Sequence, residues 1–146
     1  MSDQEPQQRR AQLEALFNER APIAKLFGMR LSYDGEAAVF RMPHNPDLDH
    51  ALGQTHGGAI ATLLDNAGWF TVAPYFDRWI ATVELSVRLH RPVARQELTA
   101  RGIIIRKGKR ITSAEMEVRG EHGQLVATGS GTFTVTSAII GDVQGA

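Results

Sequence analysis

The sequence predicts an α+β fold in which one antiparallel sheet of about six strands wraps around one long central helix. Residues 57–73 carry apolar side chains on nearly every side of a helix, as expected for a helix that is buried all round. Most of the second half of the chain alternates apolar and polar residues with the period of a strand. The turns between these stretches are short, which favours antiparallel neighbours.

The composition indicates one globular domain. The chain has 146 residues, of which 42% are hydrophobic and 22% charged. A chain of this length buries about two thirds of its unfolded surface, enough for one core. We expect residues 1–8 to be disordered, residues 9–136 to form the domain and residues 137–146 to be a loose tail.

Charge and cysteine content exclude several functional classes. Lys+Arg and Asp+Glu are both 16, and this zero net charge argues against nucleic-acid binding. The absence of cysteine excludes disulfides, Cys-based zinc sites and thiol nucleophiles. No apolar run is long enough to span a bilayer, and the N-terminus lacks the apolar region of a signal peptide. The sequence therefore predicts a cytoplasmic protein.

The first third of the chain precedes the central helix. Its patterns predict, in order, an amphipathic helix over 9–19, a short helix over 22–27 ended by Gly28, and two strands over 29–33 and 37–42 joined by a turn at Asp34-Gly35. Residues 43–54 then form a long loop. Loops of this length in a compact domain are often functional.

The rest of the chain reads as strands. Alternation predicts strands over 83–89, 98–106, 112–118 and 125–135, with turns at 95–96, 107–109 and 120–123.

The entrance of the central helix is the first candidate site. Gly57 and Gly58 are poor helix formers, and glycine suits a position where a ligand must approach the backbone closely. Free N–H groups at a helix start can polarise a carbonyl group or bind an oxyanion. The alternative is that these glycines only permit tight packing of the helix on the sheet.

Asp65 is the second candidate, because it lies in the middle of a nearly apolar helix. A buried carboxylate costs free energy unless it is paired or used in chemistry. It is either a general base or a structural residue hydrogen-bonded to a neighbouring Thr or Lys.

Residues 53–65 resemble the signature of hotdog-fold acyl-CoA thioesterases, in particular the PaaI-like branch of phenylacetate degradation, related to the Arthrobacter-type 4-hydroxybenzoyl-CoA thioesterases. That branch has His-Gly-Gly at the helix start and an acidic residue nine positions after the His, as His56 and Asp65 are here. The resemblance extends over residues 22–136 through Phe27-Gly28-Met29, the strand at 83–92 and the basic segment 106–110. It implies a hotdog fold.

The resemblance also implies catalytic roles. Asp65 would be the general base or nucleophile, and the Gly57 N–H would polarise the thioester carbonyl. His56 would position the loop and the substrate, and Thr82 would orient water. Relatives often have Asn six residues before the His, where this chain has His50. Either His50 replaces that Asn or the contact is absent.

A CoA thioester is the substrate that the resemblance implies. Its binding residues would be Gly58, Asn66, Arg91, Lys107, Lys109 and Arg110. The basic residues would hold the CoA phosphates by charge-assisted hydrogen bonds. The alternative for the segment 106–110 is a solvated turn.

We expect neither a cofactor nor a metal ion. His44, His50 and His56 recur every six residues, but a loop does not supply the converging geometry of a metal site.

The spacing of the two principal candidates requires a second chain. Gly57 and Asp65 are eight residues apart, about 12 Å along a helix. One reacting carbon cannot lie within about 3 Å of both groups of a single helix. Two helices related by a two-fold axis could bring them together, so we expect a homodimer or homotetramer with its sites at the interface.

The sequence thus predicts an acyl-CoA thioesterase that releases CoA and a carboxylic acid. The aromatic residues of 69–79 either pack the core or form a pocket for an aryl or medium-chain acyl group. Two alternative functions remain: a non-catalytic acyl-CoA-binding protein, and a hydratase or dehydratase of acyl thioesters.

Overall fold

The computed structural model describes residues 4–139. Its helices and strands are, in chain order, α1 (Gln4–Arg20), α2 (Pro22–Phe27), β1 (Arg30–Asp34), β2 (Ala37–Met42), α3 (Gly57–Val72), β3 (Arg78–Leu89), β4 (Leu98–Lys107), β5 (Ile111–Arg119) and β6 (Leu125–Ile139). Two short 3-10 helices, Pro46–Leu48 and Ala73–Tyr75, flank α3 on either side.

The six strands form one antiparallel sheet in the order β1-β2-β4-β5-β6-β3. The predicted α+β architecture is therefore confirmed. The strand β3 pairs with β6, the last strand in the chain, and forms one edge of the sheet.

The helix α3 lies across the inner face of this sheet and packs closely on it. A Cβ atom on Gly68 would come within 2.8 Å of both Met116 and Phe133. A Cβ atom on Gly102 of β4 would come within 2.4 Å of the Ala67 carbonyl oxygen. Most of α3 is buried, which explains why the sequence of this helix is apolar nearly all round.

The N-terminal helix packs against the C-terminal end of α3 and against β1 and β2. Leu13 and Phe17 are buried, and the Phe17 ring packs edge-on against Phe40 and Phe70. The side-chain amide of Asn18 bonds both backbone groups of Leu31.

This first helix begins earlier than predicted. We expected a helix from residue 9 and disorder over residues 1–8, but α1 begins at Gln4 and the side chain of Pro6 is buried. Proline in the first turn of a helix removes no intrahelical hydrogen bond, so Pro6 does not stop the helix. Residues 1–3 of the expected disordered segment lie outside the described residues.

Two strands are longer than predicted. β3 begins at Arg78 rather than Val83, and β6 continues to Ile139, into the segment expected to be a loose tail. Register irregularities in the β3–β6 pairing, between Arg78 and Ile80 and again between Thr82 and Glu84, break the strict alternation from which β3 was predicted. Residues 140–146 of the expected tail lie outside the described residues.

Within residues 4–139, no helix is long and apolar enough to cross a membrane.

Candidate active site

The long loop before α3 is anchored at both of its ends. The side-chain amide of Asn45 donates to the carbonyl oxygens of Leu26 and Phe27 at the end of α2. The loop then folds back on itself through a bridge between Asp49 and Thr55, and the His56 N–H donates to the Leu48 carbonyl. The start of α3 is thereby fixed relative to α2.

Two histidines of this loop bind the backbone in the same way. Nδ1 of His56 accepts the Gly58 N–H at 2.8 Å and caps α3. Nδ1 of His50 accepts the Leu52 N–H at 3.1 Å within a tight turn. Because Nδ1 is the acceptor in both rings, each neutral ring carries its proton on Nε2 and can donate it.

The Gly57 N–H is the open donor at the helix entrance. The His56 ring accepts the Gly58 N–H, and the His56 carbonyl oxygen accepts the Ala59 N–H. Gly57 is the first residue of α3, and its N–H has no acceptor anywhere in residues 4–139. A Cβ atom at this position would come within 2.6 Å of Cδ1 of Leu89, so the glycine also permits close packing against the end of β3.

Asp65 and Thr82 join the middle of α3 to β3. The Thr82 hydroxyl donates to Oδ1 of Asp65 at 2.8 Å, and both residues are half-buried. Oδ1 of Asp65 therefore makes the structural hydrogen bond to a threonine that was one of the two expectations for this residue. Oδ2 has no hydrogen-bond partner among the described residues and is free to accept a proton or contact a substrate.

A β-bulge at Val83 makes this contact possible. Thr82 pairs with Phe133, a buried residue of the inner face, whereas Glu84 pairs with Thr132, the next residue along β6. Val83 is the extra residue. In a regular strand whose Leu89 faces α3, Thr82 would face away from the helix, so the bulge brings its hydroxyl to the inner face.

The side chain of Asn66 lies beside Asp65 but turns away from Thr82. Its amide contacts Sδ of Met29 at 3.6 Å.

The predicted CoA-binding cations lie in two exposed segments. Lys107 ends β4, and its ammonium group lies 4.4 Å from the centre of the Tyr75 ring, whereas Lys109 and Arg110 lie in the β4–β5 turn. Arg91 is exposed just after β3.

The aromatic cluster is packed as core. Trp69 and Phe70 are buried, and the Trp69 ring lies 4.5 Å from that of Trp79, measured between ring centres. The Trp69 indole N–H donates to the Ile80 carbonyl at 3.0 Å. Of the two expectations for the aromatic residues, core packing is the one that fits Trp69, Phe70 and Trp79.

The loop also contains a histidine–carboxylate pair that was not predicted from the sequence. Nε2 of His44 lies 3.0 Å from Oδ2 of Asp49. The sequence signal was the closeness of the two residues along the loop. Over residues 4–139, no three His, Cys, Asp or Glu side chains are grouped so that they could hold a metal ion.

None of the predicted site residues lines a groove of about 1020 Å³ that the single chain forms within residues 4–139. Asp34, Arg101 and Glu115 are among its lining residues. The helix entrance at Gly57 and the carboxylate of Asp65 also remain apart, because both belong to the single helix α3.

Comparison with known proteins identifies the family. A family profile described as the thioesterase superfamily matches residues 52–127, more than half of the chain, and includes both His56 and Asp65. The chain belongs to the thioesterase superfamily. The fold described above is the hotdog fold of this superfamily.

Individual proteins are similar to this chain over most of its length. A candidate esterase of Halobacterium salinarum is 34% identical over 115 residues, which cover 70% of this chain and 75% of that protein. A protein of Shewanella oneidensis related to the thioesterase superfamily has a TM-score of 0.83 at 25% identity, covering 92% of this chain and all of that chain (100%). The E. coli PaaI protein, from the phenylacetic acid degradation operon, has a TM-score of 0.82 at 20% identity, covering 94% and 99% of the two chains.

Proposed function

We propose that the protein is an acyl-CoA thioesterase that hydrolyses a CoA thioester to free CoA and a carboxylic acid. Membership of the thioesterase superfamily supports thioester hydrolysis in general. The observation that carries the proposal is the Asp65 carboxylate, which is held at Oδ1 by Thr82 and open at Oδ2.

The proposed reaction uses Asp65 as a general base. Oδ2 takes a proton from a water molecule as the water oxygen attacks the thioester carbonyl carbon. The Gly57 N–H stabilises the negative charge that develops on the carbonyl oxygen, because this N–H lies at the positive end of the helix dipole. The intermediate then expels the CoA thiolate, which takes up the proton from Asp65, and the free acid leaves.

Two copies of the chain are needed for this arrangement. Gly57 and Asp65 are about 12 Å apart along α3, so in our proposal Gly57 of one copy faces Asp65 of the other. The strand β3 is a suitable interface, because it is a long edge strand and no other strand within residues 4–139 pairs with its outer side. Val83 on β3 is 62% exposed and Leu89 is 53% exposed, which leaves apolar surface to be covered.

The histidines of the loop have supporting roles in the proposal. His56 fixes the helix entrance through its bond to Gly58, so that the neighbouring Gly57 N–H points into the site. His50 presents Nε2–H and replaces the amide that relatives often have at this position.

The proposed substrate is a CoA ester of an aryl or medium-chain acid. Leu89 lies directly against Gly57 and Val83 follows Thr82, so apolar side chains adjoin both halves of the site. Four exposed cations are proposed to bind the phosphates of CoA: Lys109, Arg110, Lys107 and Arg91. Gly58 and Asn66 are also proposed to contact the substrate. The proposed location of the protein is the cytoplasm.

Thiol release from a panel of CoA thioesters tests the proposed function. Phenylacetyl-, benzoyl-, hexanoyl- and octanoyl-CoA are incubated with the protein and free CoA is detected with a thiol reagent. The protein has no cysteine, so it contributes no thiol background. Saturable release supports the thioesterase. Binding of all four esters without release indicates a non-catalytic acyl-CoA-binding protein, and loss of enoyl absorbance from an enoyl-CoA indicates a hydratase.

A further inference from the structure

Two residues of α3 bond the same short segment of β3. Asp65 and Trp69 are four residues apart, one turn along the helix, and therefore lie on the same side of it. Asp65 accepts the Thr82 hydroxyl, and Trp69 donates its indole N–H to the Ile80 carbonyl at 3.0 Å. The helix thus holds residues 80–82 at two points.

The pairing of this segment with the sheet is interrupted on both sides. The register with β6 shifts between Arg78 and Ile80 and again between Thr82 and Glu84, which leaves three regular pairs between the two shifts. β3 is also an edge strand, so β6 is its only strand neighbour within residues 4–139. A slip of one residue would turn Thr82 to the other face of the sheet.

Trp69 is well placed to prevent such a slip. The residue is only 8% exposed, and its ring packs against those of Phe70 and Trp79 at centre distances of 4.6 Å and 4.5 Å. A buried N–H that loses its acceptor costs the free energy of desolvation, so the bond to Ile80 fixes the register of this segment.

We infer that Trp69 is a positioning residue for the reaction: by holding Ile80 it fixes the strand register in which the Thr82 hydroxyl reaches Asp65. The inference rests on the proposed role of Asp65. In this inference Trp69 acts through Ile80 and Thr82 rather than on the water or the substrate.

A matched pair of substitutions isolates the indole N–H. Trp69→Phe retains an aromatic ring but removes the donor. Trp79→Phe makes the same change in the adjacent ring, whose N–H has no partner among the described residues. We expect Trp69→Phe to lower kcat by about 10-fold with little change in KM, in keeping with the cost of misplacing a catalytic group. Trp79→Phe leaves kcat near the wild-type value. Equal effects of the two substitutions would overturn the inference.

A double-variant cycle separates positioning from general damage. If Trp69 acts through Thr82, Trp69→Phe combined with Thr82→Val has the same kcat as Thr82→Val alone. If the loss of kcat in the double variant equals the product of the losses in the two single variants, the inference is overturned. Should Trp69→Phe fail to fold, benzothienylalanine at position 69 keeps both fused rings and replaces only the N–H with sulphur.

The coupling between Asp65 and Thr82 can also be measured without activity. Urea unfolding of Asp65→Ala, Thr82→Val and the double variant gives their coupling free energy, first with Trp69 present and then with Phe at that position. We expect the coupling to fall by about half or more without the indole N–H. An unchanged coupling in an active enzyme overturns the positioning role alone. A protein that hydrolyses no thioester, yet loses this coupling, overturns the proposed function and leaves the control of strand register in place.

Discussion

The Thr82 hydroxyl donates a hydrogen bond of 2.8 Å to Oδ1 of Asp65 and so ties the middle of α3 to the edge strand β3. A hydroxyl that donates to one carboxylate oxygen fixes the rotamer of the aspartate and leaves the other oxygen open. The pair has the form expected of a base held by an orienting residue.

Replacement of the carboxylate is expected to abolish most of the activity. Asp65→Asn keeps the oxygen that accepts the Thr82 hydroxyl but removes the basic oxygen, so kcat should fall by at least about 100-fold. Asp77→Asn, an identical change at an exposed position just before β3, serves as the control and should leave kcat unchanged. Turnover of Asp65→Asn close to that of the wild type would remove Asp65 from the mechanism.

Thr82 is expected to act through its hydroxyl rather than through its shape. Thr82→Val has nearly the same volume but no donor, and we expect a fall in kcat of about 10-fold because Asp65 loses its fixed rotamer. Thr82→Ser restores the donor and should restore most of kcat. If Thr82→Val lowers stability but not kcat, the bond is structural only.

The β4–β5 turn is expected to affect substrate affinity. Replacing both Lys109 and Arg110 with Ala should raise KM for a CoA thioester more than it lowers kcat, because these cations would contact groups remote from the reacting carbon. Lys107→Ala should have the smaller effect, since its ammonium group already lies against the Tyr75 ring. The corresponding pantetheine thioester lacks the nucleotide and is the control substrate. Equal defects on both substrates would show that the turn does not bind the nucleotide.

Tyr33 is expected to control stability at alkaline pH. Its hydroxyl donates to the Phe70 carbonyl at 2.7 Å, and burial raises the pKa of Tyr33 well above its usual value even though the nearby Arg10 guanidinium opposes the shift. Folded Tyr33 therefore keeps its proton at a pH where an unfolded tyrosine loses it, so the free energy of unfolding falls as pH rises above about 10. Burial raises the pKa of Tyr75 in the same direction.

Tyr33→Phe checks both parts of that expectation by urea unfolding. Near pH 7 the substitution should lower the free energy of unfolding by about 1–2 kcal/mol, because the Phe70 carbonyl loses its donor. Above about pH 10 the variant should lose stability less steeply than the wild type, with Tyr75 responsible for part of the remaining slope. Parallel curves for the two proteins would contradict the assignment to Tyr33.

The central helix and the strand Ala37–Met42 could be predicted from local pattern alone. An apolar helix surface on all sides has one physical explanation in a chain of this size, which is burial by the sheet. The end of α2 was equally predictable, because Gly28 adopts the left-handed conformation that glycine favours at a helix end.

The position of Thr82 could not be derived from local pattern. Alternation across Leu85 and Leu89 places even-numbered residues on the outer face, and only the bulge at Val83 reverses this for Thr82. The bulge depends on pairing with β6, more than forty residues later in the chain, and such non-local pairing leaves no periodic signal. The sequence led to Thr82 through the family resemblance, not through strand periodicity.

The shared active site is tested most directly by mixing two inactive variants. Gly57→Pro removes the N–H proposed to hold the carbonyl oxygen. Proline suits the first helical position, and the backbone of the preceding His56, with φ −61° and ψ 137°, has the extended conformation that proline requires of its neighbour. Gly57→Ala is the control, because it adds a Cβ atom against Leu89 but keeps the N–H. The second variant is Asp65→Asn.

Each variant alone should be almost inactive while remaining folded. When equal amounts are unfolded and refolded together, about half of the dimers are mixed, and in each of these one site has both defects and the other has neither. Activity should then recover to about a quarter of that of the wild type. If activity does not recover although mass spectrometry shows that mixed dimers have formed, then Gly57 and Asp65 do not meet across two chains, and the mechanism proposed here is wrong.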